Sequence, residues 1–185
     1  MAKIEPEHPT AADYDDRSVR AVKSVLVELG QILGSFRDRY VVVGGSVPWL
    51  LLNNPEMPHA GTLDIDLSLD ADALGDGQYA TLVELLRERA YVQSADLKAF
   101  QLIRRVDPHD DGPTIEVVVD LLKPKSAKLK KNRPPLVPDL RVQDADGAEL
   151  ALKFRRPSHS MARCRTAAAG TRSRSTSPPS PRFWP

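Results

Sequence analysis

Apolar residues recur at helical spacing between Asp16 and Arg37. Val22, Val25, Leu26, Leu29, Ile32, Leu33 and Phe36 fall on one stripe, which predicts an amphipathic helix. Tyr40–Val43 is a short run rich in valine, which reads as a buried strand. Ser46–Leu52 predicts a short helix, with Ser46 able to cap its start and Pro48 tolerated in the first turn. Asn53–Gly61 reads as a loop and Leu63–Leu69 as a second strand. Gln78–Arg89 predicts a second amphipathic helix, with Leu82, Leu85 and Leu86 facing inward. Phe100–Val106 and Thr114–Leu122 read as two strands about a turn, Asp107–Pro113, in which Asp, Pro and Gly dominate. A basic, proline-bearing loop follows over Lys123–Pro138. A small hairpin then closes the ordered part: Leu140–Val142, a turn at Asp144–Gly147, and Ala148–Phe154. Strands and helices alternate, so the expected class is α/β, a mixed sheet with flanking helices.

The 185 residues are enough for one domain with a real core, and 41% hydrophobic against 28% charged residues is a soluble, globular balance. The expected organisation is a flexible leader over 1–15, a domain over 16–154 and a tail over 155–185. Net charge is +1, but it is unevenly spread: from Lys153 onward there are eight Lys/Arg and no Asp/Glu. An acidic body therefore carries a basic tail. The tail is built from Arg, Ser, Ala, Pro, Thr and Gly, which cannot bury enough surface to offset ordering entropy. It reads either as a disordered basic tail or as a stretch translated out of frame from GC-rich DNA. No apolar run approaches membrane-spanning length, and the start Met1-Ala2-Lys3-Ile4-Glu5 carries no apolar signal core. The expected location is cytoplasmic, and the single Cys164, in the polar tail, agrees with a reducing compartment.

The candidate chemistry lies between Val41 and Asp66. A strand ends in Gly44-Gly45-Ser46, and the next strand carries Asp64-Ile65-Asp66. Side chains alternate along a strand, so Asp64 and Asp66 share a face. Two adjacent carboxylates repel unless a cation neutralises them, and a hard divalent ion, Mg²⁺ or Mn²⁺, suits oxygen ligands. The glycines let backbone approach a phosphate, and the following helix start offers N–H groups. A third carboxylate is expected on a neighbouring strand; Glu116 and Asp120 share a parity opposite to Val117 and Val119, and Asp120, at the strand's end, is the choice with Glu116 as the reserve.

The ordered pair of Gly44-Gly45-Ser46 and Asp64-Ile65-Asp66 resembles the signature of the nucleotidyltransferase superfamily. The surrounding "GTLDIDL" is similar to the AbiEii/AbiGii-type abortive-infection toxins, and the resemblance covers roughly residues 17–152. It implies a nucleotidyltransferase-like fold and transfer of NMP from an NTP to an acceptor: tRNA, a protein or a small hydroxylated molecule. It implies a toxin of a type IV toxin–antitoxin pair, with an antitoxin protein as partner. It also places an acid at Asp120, making Asp64, Asp66 and Asp120 the catalytic metal ligands and Gly44, Gly45 and Ser46 the nucleotide-binding residues. The family carries an arginine where this chain has His59-Ala60-Gly61, and a C-terminal helical region with a lysine and an aspartate that no segment here matches. The competing expectation is therefore an inactive, truncated remnant with weak nucleotide binding.

Other features carry less. Asp107, His109, Asp110 and Asp111 sit beside Pro108 and Gly112 and read as a solvated turn. His59 reads as an incidental loop histidine and Trp49 as a core residue. Lys123, Lys125, Lys128, Lys130, Lys131 and Arg133 form a basic run, either a solvated loop or a contact for a polyanion such as tRNA. No aromatic residue interleaves with it, so base stacking is not indicated.

Overall fold

The computed structural model describes residues 16–36, 38–48, 62–107, 112–127 and 140–155. The first helix, α1, covers Asp16–Ile32 and tightens into a 3₁₀ turn over Leu33–Phe36. All seven residues of the predicted stripe are buried. The strands are β1 (Tyr40–Val43), β2 (Asp64–Leu69), β3 (Tyr91–Val92), β4 (Gln101–Val106), β5 (Ile115–Pro124) and β6 (Gln143–Ala145). Two further helices are α2 (Ala71–Glu88) and α3 (Ala148–Lys153). The protein is thus a mixed α/β structure.

The six strands form one sheet in the order β1-β2-β5-β4-β3, with β6 pairing β5 past the end of β4. β1 is antiparallel to β2, β2 parallel to β5, and β5 antiparallel to β4. The predicted hairpin is β4 and β5, closed by the pair Val106 and Ile115. Thr114 Oγ1 donates to Asp107 Oδ1 at 2.7 Å beside that closing pair. The core lies on one face. Ile65, Leu67, Leu69, Val117, Val119 and Leu121 pack with the buried stripe of α1 and with Leu74, Tyr79, Leu82, Val83 and Leu86 of α2. At about 0.8 kcal/mol per buried CH₂, this apolar face supplies the main drive to fold. An ion pair closes its edge: Glu28 on α1 accepts from Arg104 Nε at 2.9 Å and from the Tyr91 hydroxyl at 3.3 Å.

Three expectations need correction. α2 starts at Ala71, not Gln78. Asp70 caps it by accepting from Ala73 N–H at 3.1 Å, and Ala71 and Leu74 are buried. Gly75 and Gly77 disfavour a helix by about 1 kcal/mol each, and the cap and the packing offset that. The closing hairpin is not formed. Gln143–Ala145 instead runs parallel to β5, and Ala148–Lys153 is helical, entered through Gly147 at a φ of 79°. Ser46 does not precede a helix as its cap; Gly44–Ser46 is itself a 3₁₀ turn that continues into helical Val47 and Pro48. The leader 1–15, Trp49, His59, the whole 53–61 loop, residues 108–111, the basic run from Lys128 on, Cys164 and the tail beyond Arg155 lie outside the described residues.

Lys123 leaves the basic run. Its side chain is 11% exposed, its Nζ lies 2.5 Å from Asp144 Oδ1, and it donates to the Ala127 carbonyl at 2.8 Å. Lys123 and Asp144 are register partners, so the pair pins β6 to β5. Asp144→Ala leaves the ammonium against carbonyls alone and is expected to cost about 1–2 kcal/mol, read by urea unfolding. Adding Lys123→Met to that variant should recover part of the loss, because no charge is then left buried.

Among the described residues, no helix is long and apolar enough to cross a membrane.

Candidate active site

The glycine turn and the Asp-bearing strand are built against each other. The β1–β2 register sets Val43 opposite Asp66, so the chain leaving β1 turns directly over that aspartate. Gly44 adopts a φ of 75°, a conformation that favours glycine. A Cβ at position 44 would run into Asp66 Oδ2. The missing side chain is therefore what lets the carboxylate lie against the backbone. Gly45 packs on Thr62, where a Cβ would stand 3.3 Å from the threonine Cβ. Ser46 is buried, and its hydroxyl has no hydrogen-bond partner among the described residues.

Pairing across the sheet then assembles a row. Val43 is opposite Asp66, Asp66 is opposite Asp120, and Asp120 is opposite Gln101. Paired residues project to the same side, so Asp66, Asp120 and Gln101 share the face away from the helix-covered core. Asp64 lies two residues before Asp66 on that face, opposite Val118. Glu116 also has this parity, but it is paired with Arg105 in register and joined to it at 2.8 Å. Four residues along the strand put it about 13 Å from Asp120. Of the two candidates for a third carboxylate, Asp120 is the one beside Asp66.

Asp120 is half-buried, and Gln101 Nε2 donates to its Oδ1 at 2.9 Å. Burial is the largest influence on its carboxyl and pushes the pKa above the ordinary range. The negative charge of Asp64 pushes the same way, while the Gln101 hydrogen bond and the Lys98 ammonium pull it back. Because the folded pKa is raised, the native state binds more protons than the unfolded chain between the two pKa values. This contribution to stability therefore falls as pH rises through that window, and the full penalty is present above the folded pKa. Asp120→Asn removes the penalty and keeps a group that accepts from Gln101. In metal-free buffer at neutral pH it is expected to raise the melting temperature by roughly 1–3 °C, with the gain vanishing at a pH below the unfolded carboxylate range.

Among the described residues, no three Asp, Glu, His or Cys side chains converge on a point that could hold a metal ion. Asp64, Asp66 and Asp120 occupy one face and neighbouring strands without forming a closed cage. Their donor chemistry fits a hard divalent cation, since three carboxylates supply oxygen ligands and the Asp64–Asp120 repulsion is what a cation relieves. With Asp120 held by Gln101, rotation of the Asp64 and Asp66 side chains would have to bring their oxygens to coordinating distance.

Two neighbours of the row escaped the sequence reading, Gln101 and Lys98. The signal was available in outline. Once the hairpin pairs Val106 with Ile115, counting back along both strands brings Gln101 to Asp120.

The chain matches no family model, no curated protein and no solved structure.

Proposed function

We propose that the protein is a nucleotidyltransferase-like enzyme that moves NMP from an NTP to a hydroxyl acceptor. The observation that carries the reading is the contact between the two motifs. The Gly44 backbone lies against the Asp66 carboxylate, and Asp66 stands beside Asp120 in register. A phosphate-holding turn and an acidic row thus meet at one end of the sheet.

Asp64, Asp66 and Asp120 would hold Mg²⁺ or Mn²⁺. Such an ion supplies charge neutralisation for the phosphoryl oxygens and the departing pyrophosphate. The protein's own groups do the rest. The backbone N–H groups of the Gly44–Ser46 turn hold the β- and γ-phosphates, with the Ser46 hydroxyl beside them. Asp120, beside Asp66 in register, accepts the proton of the incoming hydroxyl. The acceptor is tRNA, another nucleic acid, a protein or a small molecule, and the biological role is that of a toxin held by an antitoxin.

One observation favours a second reading, a remnant that binds nucleotide weakly and does not turn over: the three carboxylates do not converge. Incubation of the full chain with α-labelled NTPs, Mg²⁺ and bulk tRNA separates the two. The enzyme transfers label to an acceptor or to itself. The remnant retains nucleotide in equilibrium binding and transfers none.

A further inference from the structure

We infer that Gln101 is a positioning residue for the third carboxylate, fixing Asp120 so that one of its oxygens is committed to the protein and the other is left to the row shared with Asp64 and Asp66. The inference rests on reading that row as a divalent-cation site.

The side-chain amide of Gln101 is held at both ends. Its Oε1 accepts from the Lys98 backbone N–H at 3.1 Å, and its Nε2 donates to Asp120 Oδ1 at 2.9 Å. The first bond fixes which end of the amide is oxygen, and so fixes a donor toward Asp120. The turn that supplies the Lys98 N–H is itself anchored. Gln101 N–H donates to the Lys98 carbonyl at 3.0 Å, Leu121 N–H to the Phe100 carbonyl at 2.9 Å and Arg141 N–H to the Ala99 carbonyl at 2.6 Å. Rigid backbone from two sides thus reaches Asp120 through one side chain. An amide is the group that suits this place. It donates without carrying charge, so it orients a carboxylate without neutralising it, and the negative charge stays available to a cation. A lysine there would compete with the ion, and a leucine would leave the carboxylate free to rotate. Partners that orient metal-binding carboxylates in this way commonly contribute 10- to 100-fold to affinity.

The test is binding of Mn²⁺ to the full chain, followed by the electron paramagnetic resonance of the free ion, with thermal melting in chelator as the control for folding. Wild type should bind, and Asp66→Asn should lose the binding. Gln101→Leu should weaken it by about 10- to 100-fold. Gln101→Asn keeps the amide but is one methylene too short to make both bonds, and it should weaken binding as well. If Gln101→Leu does not fold, the asparagine variant decides by the same criterion. A merely structural role would lower the melting temperature and leave the Mn²⁺ affinity unchanged, and that result overturns the inference. If wild type binds no Mn²⁺, or Asp66→Asn binds as wild type does, the reading of the row itself fails. If Asp66→Asn loses the ion and both Gln101 variants keep it, only the positioning role fails.

Discussion

Gly44→Ala is expected to damage the protein more than any other single methyl group added to the described residues. Two penalties act together. The φ of 75° costs a non-glycine residue about 1–2 kcal/mol. The new Cβ also meets Asp66 Oδ2, so the carboxylate or the turn must move. Together these are expected to lower the unfolding free energy by about 2–4 kcal/mol, measured by urea denaturation. A double-mutant cycle separates the terms. Combined with Asp66→Ala, the alanine at 44 should lose the collision and keep only the backbone strain. The cost of Gly44→Ala should then be smaller by about 1 kcal/mol or more in the Asp66→Ala background than in wild type. Equal costs in both backgrounds would mean that the turn and the aspartate do not touch. Glycine 45 provides the comparison: with no positive φ and only close contact to Thr62, its alanine variant should cost less.

The second large effect concerns activity. Asp66→Asn keeps the shape of the side chain and removes its charge, so the close fit against Gly44 is retained. In the proposed enzyme it should reduce label transfer by roughly 10³-fold, the size of losing several kcal/mol of electrostatic stabilisation. Its melting temperature in metal-free buffer is the control for folding. Asp64→Asn should act in the same direction. Glu116→Gln is the matched control. That residue lies on the same face and was an equal candidate by parity, but it is tied to Arg105 and stands away from Asp66. Its transfer rate should be that of wild type. A Glu116 variant as inactive as Asp66→Asn would move the site along β5 and break the proposed row.

Much of the frame is legible in the chain because its signals are local. The α1 stripe, the valine run of β1 and the Asp, Pro and Gly turn between β4 and β5 each announce themselves within a few residues. Parity alone put Asp64 and Asp66 on one face and Val117 and Val119 on the other. Three things were hidden because they depend on partners distant in sequence. β3 is only Tyr91–Val92, too short for alternation to register, and its strand character comes from pairing with β4. The first turns of α2 contain two glycines, and their helical state depends on the Asp70 cap and on burial of Leu74. Gln143–Ala145 carries no strand pattern of its own and is held by the parallel ladder and by Lys123. At the site, parity left Glu116 and Asp120 level, and only strand-end position and the family resemblance favoured Asp120. The β2–β5 register and the Arg105 ion pair distinguish them, and neither can be read from parity. That a Cβ at Gly44 would collide with Asp66 is likewise a consequence of the β1–β2 register rather than of the glycine motif.

The central claim is that Asp64, Asp66 and Asp120 share a divalent ion next to the turn at Gly44. The most direct measurement is a crystal structure of the full chain with Mn²⁺ and a non-hydrolysable NTP, using the anomalous signal of manganese. The account predicts an anomalous peak about 2.0–2.4 Å from carboxylate oxygens of Asp66 and Asp120, with the triphosphate running toward Gly44–Ser46. A peak elsewhere, or a nucleotide bound away from that turn while the acid row stays empty at saturating Mn²⁺, would contradict it.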